Sequence, residues 1–268
     1  MRQASSTNNL LLVAIFALCV LFLIGASLIF KFVGIVRDSS FDGEHRFTVF
    51  LSDSAGNSAY LSVDPAQNTS TKLSIKNRVH KDEVIASLPV AVDGVVVVSG
   101  EIDQSAPLTE LLQAMLIKRN NVRKNVTGID LLRMYLFAKK TPPESREEEE
   151  LFYSAATLND ISYADYFFDR AFSDEDKTIA IENASLKSGV GSRLEELLLV
   201  LGGNVISVET ASVASSSSSI VYYDNPSYTT KKLGKLLGYK LDPTDRLGIA
   251  DISIIIGEDG FNNLVFRK

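Results

Sequence analysis

The chain has 268 residues, 46% of them hydrophobic and 22% charged, with a formal net charge of −6. That length supports one large domain or two small ones with cores of their own. The acidic balance, without a basic stripe, argues against a nucleic-acid partner. With Cys19 as the sole cysteine, an internal disulfide, a cysteine-bound zinc and a cysteine nucleophile are excluded from the rest of the chain.

From Leu10 to Phe30 the sequence runs LLLVAIFALCVLFLIGASLIF without a charge. As a helix rising ~1.5 Å per residue this segment spans ~31 Å, close to the ~30 Å of a bilayer core. A cleaved leader has a shorter apolar core and a small-residue cleavage site. Here Gly25-Ala26-Ser27 is followed by more apolar residues, and Cys19 follows Leu18 instead of the small residue of a lipoprotein site. The segment is expected to be an uncleaved transmembrane anchor. Flanking cations, Arg2 on one side against Lys31, Arg37 and Arg46 on the other, slightly favour a cytoplasmic bulk, although large C-terminal domains translocate largely regardless of such charges.

After a polar linker at 37–44, alternating segments at 46–53, 56–64 and 70–77 predict a small β-meander, and 82–89 and 93–100 predict two more strands. The middle is helical. Residues 106–119 place Leu108, Leu111, Leu112, Met115 and Leu116 on one face. A second helix over 127–140 carries Ile129, Leu132, Tyr135, Leu136 and Phe137 at helical spacing. Thr127 and Asp130 are its capping pair, and Pro142-Pro143 is its stop. The acidic run 144–151 predicts a solvated helix start, without the ligand spacing of a calcium loop. A further helix over 161–176 would place Asp165 and Asp169 together on a wet face opposite Phe168 and Phe172. His45 and His80, the only histidines, lie apart without a ligand pattern.

The segment from about 177 predicts strand (KTIAIENAS), helix (GSRLEELLLVLGG), strand (NVISVETA), a serine-rich linker, strand (SIVYYDN), helix (YTTKKLGKLLG, capped by Ser227) and strand (ADISIIIGED). The order β-α-β-β-α-β fits a small α+β sandwich with two helices on one sheet face. Its first helix presents Val190, Leu194, Leu197, Leu198 and Leu201 as a stripe. The preceding turn holds Gly189 and Gly191, but the third glycine of a dinucleotide loop is replaced by Leu194 and no P-loop lysine is present. The glycines therefore predict a tight turn and close helix–strand packing, with Ser188 or Ser192 as cap and Glu195 completing a capping box. Gly189, Gly191 and Ser192 remain a weak anion site at a helix N-terminus.

Taken in order, IAIENASLKSGVGSRLEELLLVLGGNVISVETA, the serine-rich gap, IVYYDN, KLGKLLG and ADISIIIGED resemble the LytR C-terminal domain of LytR-CpsA-Psr-type cell-envelope proteins. The resemblance covers about 177–260. It implies a single-pass membrane protein whose soluble part lies outside the cytoplasmic membrane, which reverses the orientation suggested by charge. FTVFLSD and the strands after it resemble the opening of the catalytic domain of the same proteins, which transfer lipid-linked polymers to peptidoglycan through a phosphate, using Asp and Arg groups. Asp53 matches the first-strand acid. The family's Pro-Arg-Asp is replaced by Lys76-Asn77 before Arg78, and its Arg-Ser-Asp by Gly56-Asn57-Ser58. The resemblance is thus to a degenerate, inactive relative.

The expected architecture is α+β: a tail and transmembrane helix (1–36), a mixed α/β middle domain (37–172) and the C-terminal β-α-β-β-α-β domain (173–268). The expected function is a non-catalytic, membrane-anchored envelope protein that binds a protein or cell-wall component and needs no cofactor. The alternative is a divergent phosphotransferase using Asp53, Arg78 and Asp82 with Mg²⁺. A regulator facing the cytoplasm is a third reading.

Overall fold

The computed structural model describes residues 4–37, 39–76, 88–117, 122–152, 162–246 and 248–262. The chain divides into two compact units, Met1–Ser39 and Ser40–Lys268. The first is formed by helix α1 (Ala4–Arg37), 34 residues long. Its described side chains run unbroken from 13 to 27, and Phe16 and Phe22 are 71% and 72% exposed. A crossing helix needs ~20 apolar residues. Among the described residues, no helix is long and apolar enough to cross a membrane, so the transmembrane helix expected over 10–30 goes beyond what they establish.

The second unit contains two sheets. The first has six strands in the order β5-β4-β1-β2-β3-β6. Its meander is β1 (Phe47–Asp53), β2 (Ser58–Asp64) and β3 (Thr69–Lys76), antiparallel throughout. β4 (Gly94–Val98) adds parallel to β1, and β5 (Val122–Lys124) closes that edge. The strand expected over 82–89 lies mostly outside the described residues. Helices α2 (Leu108–Ile117) and α3 (Gly128–Lys140) cover one face of this sheet.

The Thr127–Asp130 capping box forms as expected, and Asp130 also accepts the Phe41 N–H at 2.9 Å. This tie accompanies a rotation of α3 away from the expected face. Leu131, Met134 and Ala138 are buried, whereas Leu132 and Leu136 are 44% and 47% exposed.

Two expectations fail here. The acidic run is a strand, β6 (Arg146–Phe152), parallel to β3 at the sheet edge. Its carboxylates are matched across the ladder: Lys72 meets Glu148 at 2.7 Å and Thr71 donates to Glu147 at 3.2 Å. Charge on an edge strand also blocks further pairing. Glu148 does sit at a helix start, but that of α2, where it accepts the Leu108 N–H at 3.1 Å. The helix expected over 161–176 is broken into α4 (Tyr163–Phe167) and α5 (Arg170–Asp174). Asp169 leaves helical geometry to cap α5, which sends Phe167 into one core and Phe172 into another.

The second sheet has five strands in the order β10-β9-β11-β7-β8. β7 (Thr178–Asn183), α6 (Val190–Val200) and β8 (Asn204–Thr210) form one parallel crossover. β9 (Ser219–Tyr223), α7 (Tyr228–Leu237) and β10 (Lys240–Thr244) form another. β11 (Ile252–Ile256) clips them together, parallel to β7 and antiparallel to β9. The order is therefore β-α-β-β-α-β-β, one strand more than expected. β10 reads as loop because it contains Asp242 and Pro243, and its edge position tolerates the proline. The predicted stripe of α6 is buried, as are Leu233, Leu236 and Leu237 of α7.

Candidate functional site

The sequence-derived candidates do not assemble into a site. Asp53 ends β1, 6% exposed. One of its carboxylate oxygens accepts the N–H groups of Ala55 and Asn57, both at 2.8 Å; the other accepts Asn57 Nδ2 and the Ile102 N–H, both at 2.9 Å. These four donors commit the carboxylate to shaping the β1–β2 turn and leave a Mg²⁺ ion a poor fit. Arg78 and Asp82 lie outside the described residues, as does His80. Among the described residues no group of three or more His, Cys, Asp or Glu could hold a metal ion. Asp165 is exposed while Asp169 is buried, so they share no face.

The glycine turn also differs from expectation in its cap. Gly189 itself is the N-cap of α6, with φ +79°, and no side chain caps the helix. Gly191 is buried under β8, where an added Cβ would stand 2.9 Å from Val208 Cγ1. That contact shows why a side chain is unwelcome there. Ser192 points away, exposed.

Two polar assemblies lie between the first sheet and α6–α7. One is a buried seam. Lys232, 7% exposed on α7, reaches Asp169 at 2.9 Å, donates to the Arg46 carbonyl at 2.9 Å and lies 3.8 Å from Asp93. Tyr228 donates its hydroxyl to Asp169 at 2.8 Å. Asp93 accepts the Thr48 N–H at 2.8 Å, and Arg46 pairs with Asp64 at 3.2 Å while donating to the Tyr166 carbonyl at 2.6 Å. Burial raises the Asp93 carboxyl above the usual carboxylate range despite the nearby lysine. Burial would lower the Lys232 ammonium, but Asp93 and Asp169 hold it above its ordinary value. At the rim His45 stacks on the Tyr228 ring, centroids 4.0 Å apart. Every charge in the seam is met by another, which suits a clamp better than a reacting centre.

The other assembly is a 680 Å³ cleft. β5 contributes Lys124, α6 contributes Arg193 and Leu197, α7 contributes Lys235 and Leu236, and Tyr239 follows α7. Val90 and Val92, from the chain entering β4, supply apolar wall. No sequence pattern announces it, because its polar residues come from five separate stretches, at 124–125, 193, 217–219, 235–242 and 259; the nearest signal was the glycine turn, which lies just before Arg193.

The fold thus defines a class: a mixed sheet packed with helices, followed by a small α+β domain of two β-α-β crossovers joined by a last strand. Residues 176–259, just under a third of the chain, match the family described as LytR cell envelope-related transcriptional attenuator. That segment, from β7 through β11, is a LytR C-terminal domain, as its resemblance implied. The match does not extend into residues 37–172. No curated protein matches the chain. Among solved structures, the Lin1025 protein of Listeria innocua is 12% identical over 79% of this chain and 91% of its own, with a TM-score of 0.18. A putative transcriptional factor, Lmo1026, of Listeria monocytogenes is 11% identical over 84% and 96%, with a TM-score of 0.19. At those scores the likeness carries no argument.

Proposed function

We propose that the chain is a membrane-anchored protein of the bacterial cell envelope that binds a protein or a cell-wall component and does not transform it. α1 is the anchor, and the folded unit lies outside the cytoplasmic membrane. The observation that carries this reading is the LytR C-terminal match over 176–259 on a chain whose first described element is a 34-residue helix. The uncharged run from Leu10 to Phe30 within that helix has the length of a bilayer core. The binding half is supported by the commitment of Asp53 to four N–H donors and by the mutual pairing of the buried seam. Both commit these particular charges to structure.

The test is fractionation of cells producing the full chain, followed by protease treatment of intact spheroplasts. The protein is expected in the membrane pellet after alkaline carbonate washing, with its folded unit digested by external protease. Release into the supernatant refutes the anchor, and full protection from protease places the folded unit in the cytoplasm.

A further inference from the structure

Helix α3 is apolar on both sides. Leu131, Met134 and Ala138 enter the core of the first sheet, and Tyr135 and Phe137 pack partly against it. The outer side should then be polar. Instead Ile129 is half-buried there, and Leu132 and Leu136 are 44% and 47% exposed. Their spacing of three and four residues stacks them along one face. A helix that is hydrophobic all round normally has neighbours all round.

Charge on α3 is sorted as well. Its one acid, Asp130, is wholly buried. Its cations are Arg133 and the exposed Lys139 and Lys140 of the last turn. Carboxylates lie off the helix: Asp42, held by His45 at 2.6 Å, Glu110 in the first turn of α2 and Glu144 after α3.

The tether of α3 indicates what covers this face. Asp130 accepts the Phe41 N–H at 2.9 Å, and Arg133 donates to the Phe41 carbonyl at 2.7 Å. Both backbone groups of Phe41 are therefore held by α3. Phe41 comes four residues after Arg37, the end of α1, and four residues of chain reach ~14 Å at most. With α1 in a bilayer, that short tether keeps the start of α3 near the membrane surface. So high a local concentration makes even a weak contact effective. A protein arriving from solution has no such help, and a stable protein interface buries ~800 Å² per partner, more than three aliphatic side chains supply.

We propose that the outer face of α3 is a second membrane contact. Ile129, Leu132 and Leu136 seat at the boundary between phospholipid headgroups and acyl chains, and Lys139 and Lys140 extend to the phosphates. The proposal rests on the anchor reading above, and its test reads the two separately.

The chain has no tryptophan, so a single substitution installs a sole fluorescent reporter. Phe22→Trp reports on α1, Leu132→Trp on α3, and Val213→Trp, at a position 75% exposed after β8, serves as the control. Each full-length variant is reconstituted into vesicles of phosphatidylglycerol and phosphatidylcholine with acyl chains brominated at a shallow or a deep position. Phe22→Trp is expected to be quenched most by deep bromine. Leu132→Trp is expected to be quenched most by shallow bromine, with blue-shifted emission, and Val213→Trp by neither. Adding Leu136→Glu to the Leu132→Trp chain is expected to lower that quenching about threefold or more, because interfacial binding scales with buried apolar area. Quenching at position 22 but not at 132 overturns the proposal and leaves the anchor standing. Quenching at 132 but not at 22 does the reverse, and quenching at neither overturns both. Equal quenching at 132 and 213, or undiminished quenching with Leu136→Glu, overturns the proposal because the contact is then not made through this face. A blue shift at 132 without bromine quenching also overturns it and assigns the face to a second copy of the chain.

Discussion

The two sheets of the folded unit bury their residues by different rules. Every residue of β1 and β2 is buried, because α2 and α3 cover one face and the region from α4 onward covers the other. The polar alternates of those strands, Thr48, Ser52, Ser58, Ser62 and Asp64, are consequently interior. β9 and β11 keep the alternation of a sheet with one covered face, and the core beneath them is almost wholly aliphatic and aromatic. The lesson concerns what alternation means. A polar residue at every second position signals that one face lacks an apolar partner, and it does not signal that the face is wet. In the first sheet that face is dry: hydrogen bonds and ion pairs hold its polar residues beside an apolar cluster of Phe50, Tyr60 and Phe167.

The sharpest way to break this contrast is to cut the seam. Lys232→Ala would leave Asp169 buried with the Tyr228 hydroxyl and the Phe172 N–H but without its cation, and deprive Asp93 of the lysine 3.8 Å away. Removal of one partner from a buried pair costs about 3–5 kcal/mol. Urea denaturation of the wild type and variant measures it. Replacing both partners, Lys232→Met with Asp169→Leu, should cost less than Lys232→Ala alone, because Asp169 is no longer buried without its cation and only Asp93 is left without the lysine. A double variant no better than the single one would assign the effect to packing and remove the seam from the account.

Asp53→Ala tests the same rule at the far end of β1 and has a smaller expected effect. Four donors lose their acceptor, but they lie near a turn that water can reach, so about 2 kcal/mol is expected. A stable variant that instead loses binding to the membrane or to a ligand would return Asp53 to the functional residues.

The second sheet was the more legible of the two for a physical reason. Its helices carry apolar stripes at full helical period, its turns carry glycine or a serine cap, and its interior is closed almost wholly by those elements, with Ala91 and Phe172 added from outside. Local pattern and tertiary environment agree there, with β10 the exception, since an edge strand accepts residues that otherwise mark a loop. In the first sheet and its surroundings the environment is supplied from far along the chain. β6 is acidic yet extended because β3 offers Lys72 and Thr71 in register. Lys232 looks like a solvated helix residue and is buried because Asp169 and the Arg46 carbonyl await it. Asp169 looked like one side of a wet helix and instead ends it. The cleft was illegible for the same reason: Lys124, Arg193, Lys235 and Tyr239 meet only after both sheets have formed.

Glu175 gives the smallest effect and the finest test of the contrast, because it shows where the region of the second sheet does use charge. It follows α5 and accepts the Tyr228 and Thr229 N–H groups at the start of α7, both at 2.8 Å. It thus adds a carboxylate to a helix end already capped by Ser227, on the surface and not in a core. Burial pushes its carboxyl up, but the bonds from Thr229 and Tyr228 outweigh this and bring it below the ordinary glutamate value of 4.5. A folded pKa below the unfolded one means stability that is present above the unfolded value and lost as pH falls through the folded value. Glu175→Gln keeps an acceptor and removes the charge, so it should cost about 0.5 kcal/mol at neutral pH, modest because the group is largely solvated. The difference between variant and wild type should shrink as pH falls below 4.5, where the wild-type carboxyl becomes neutral as well. A difference that stays constant down to strongly acidic pH would mean that shape, and not the charge at this helix end, holds α7 in place.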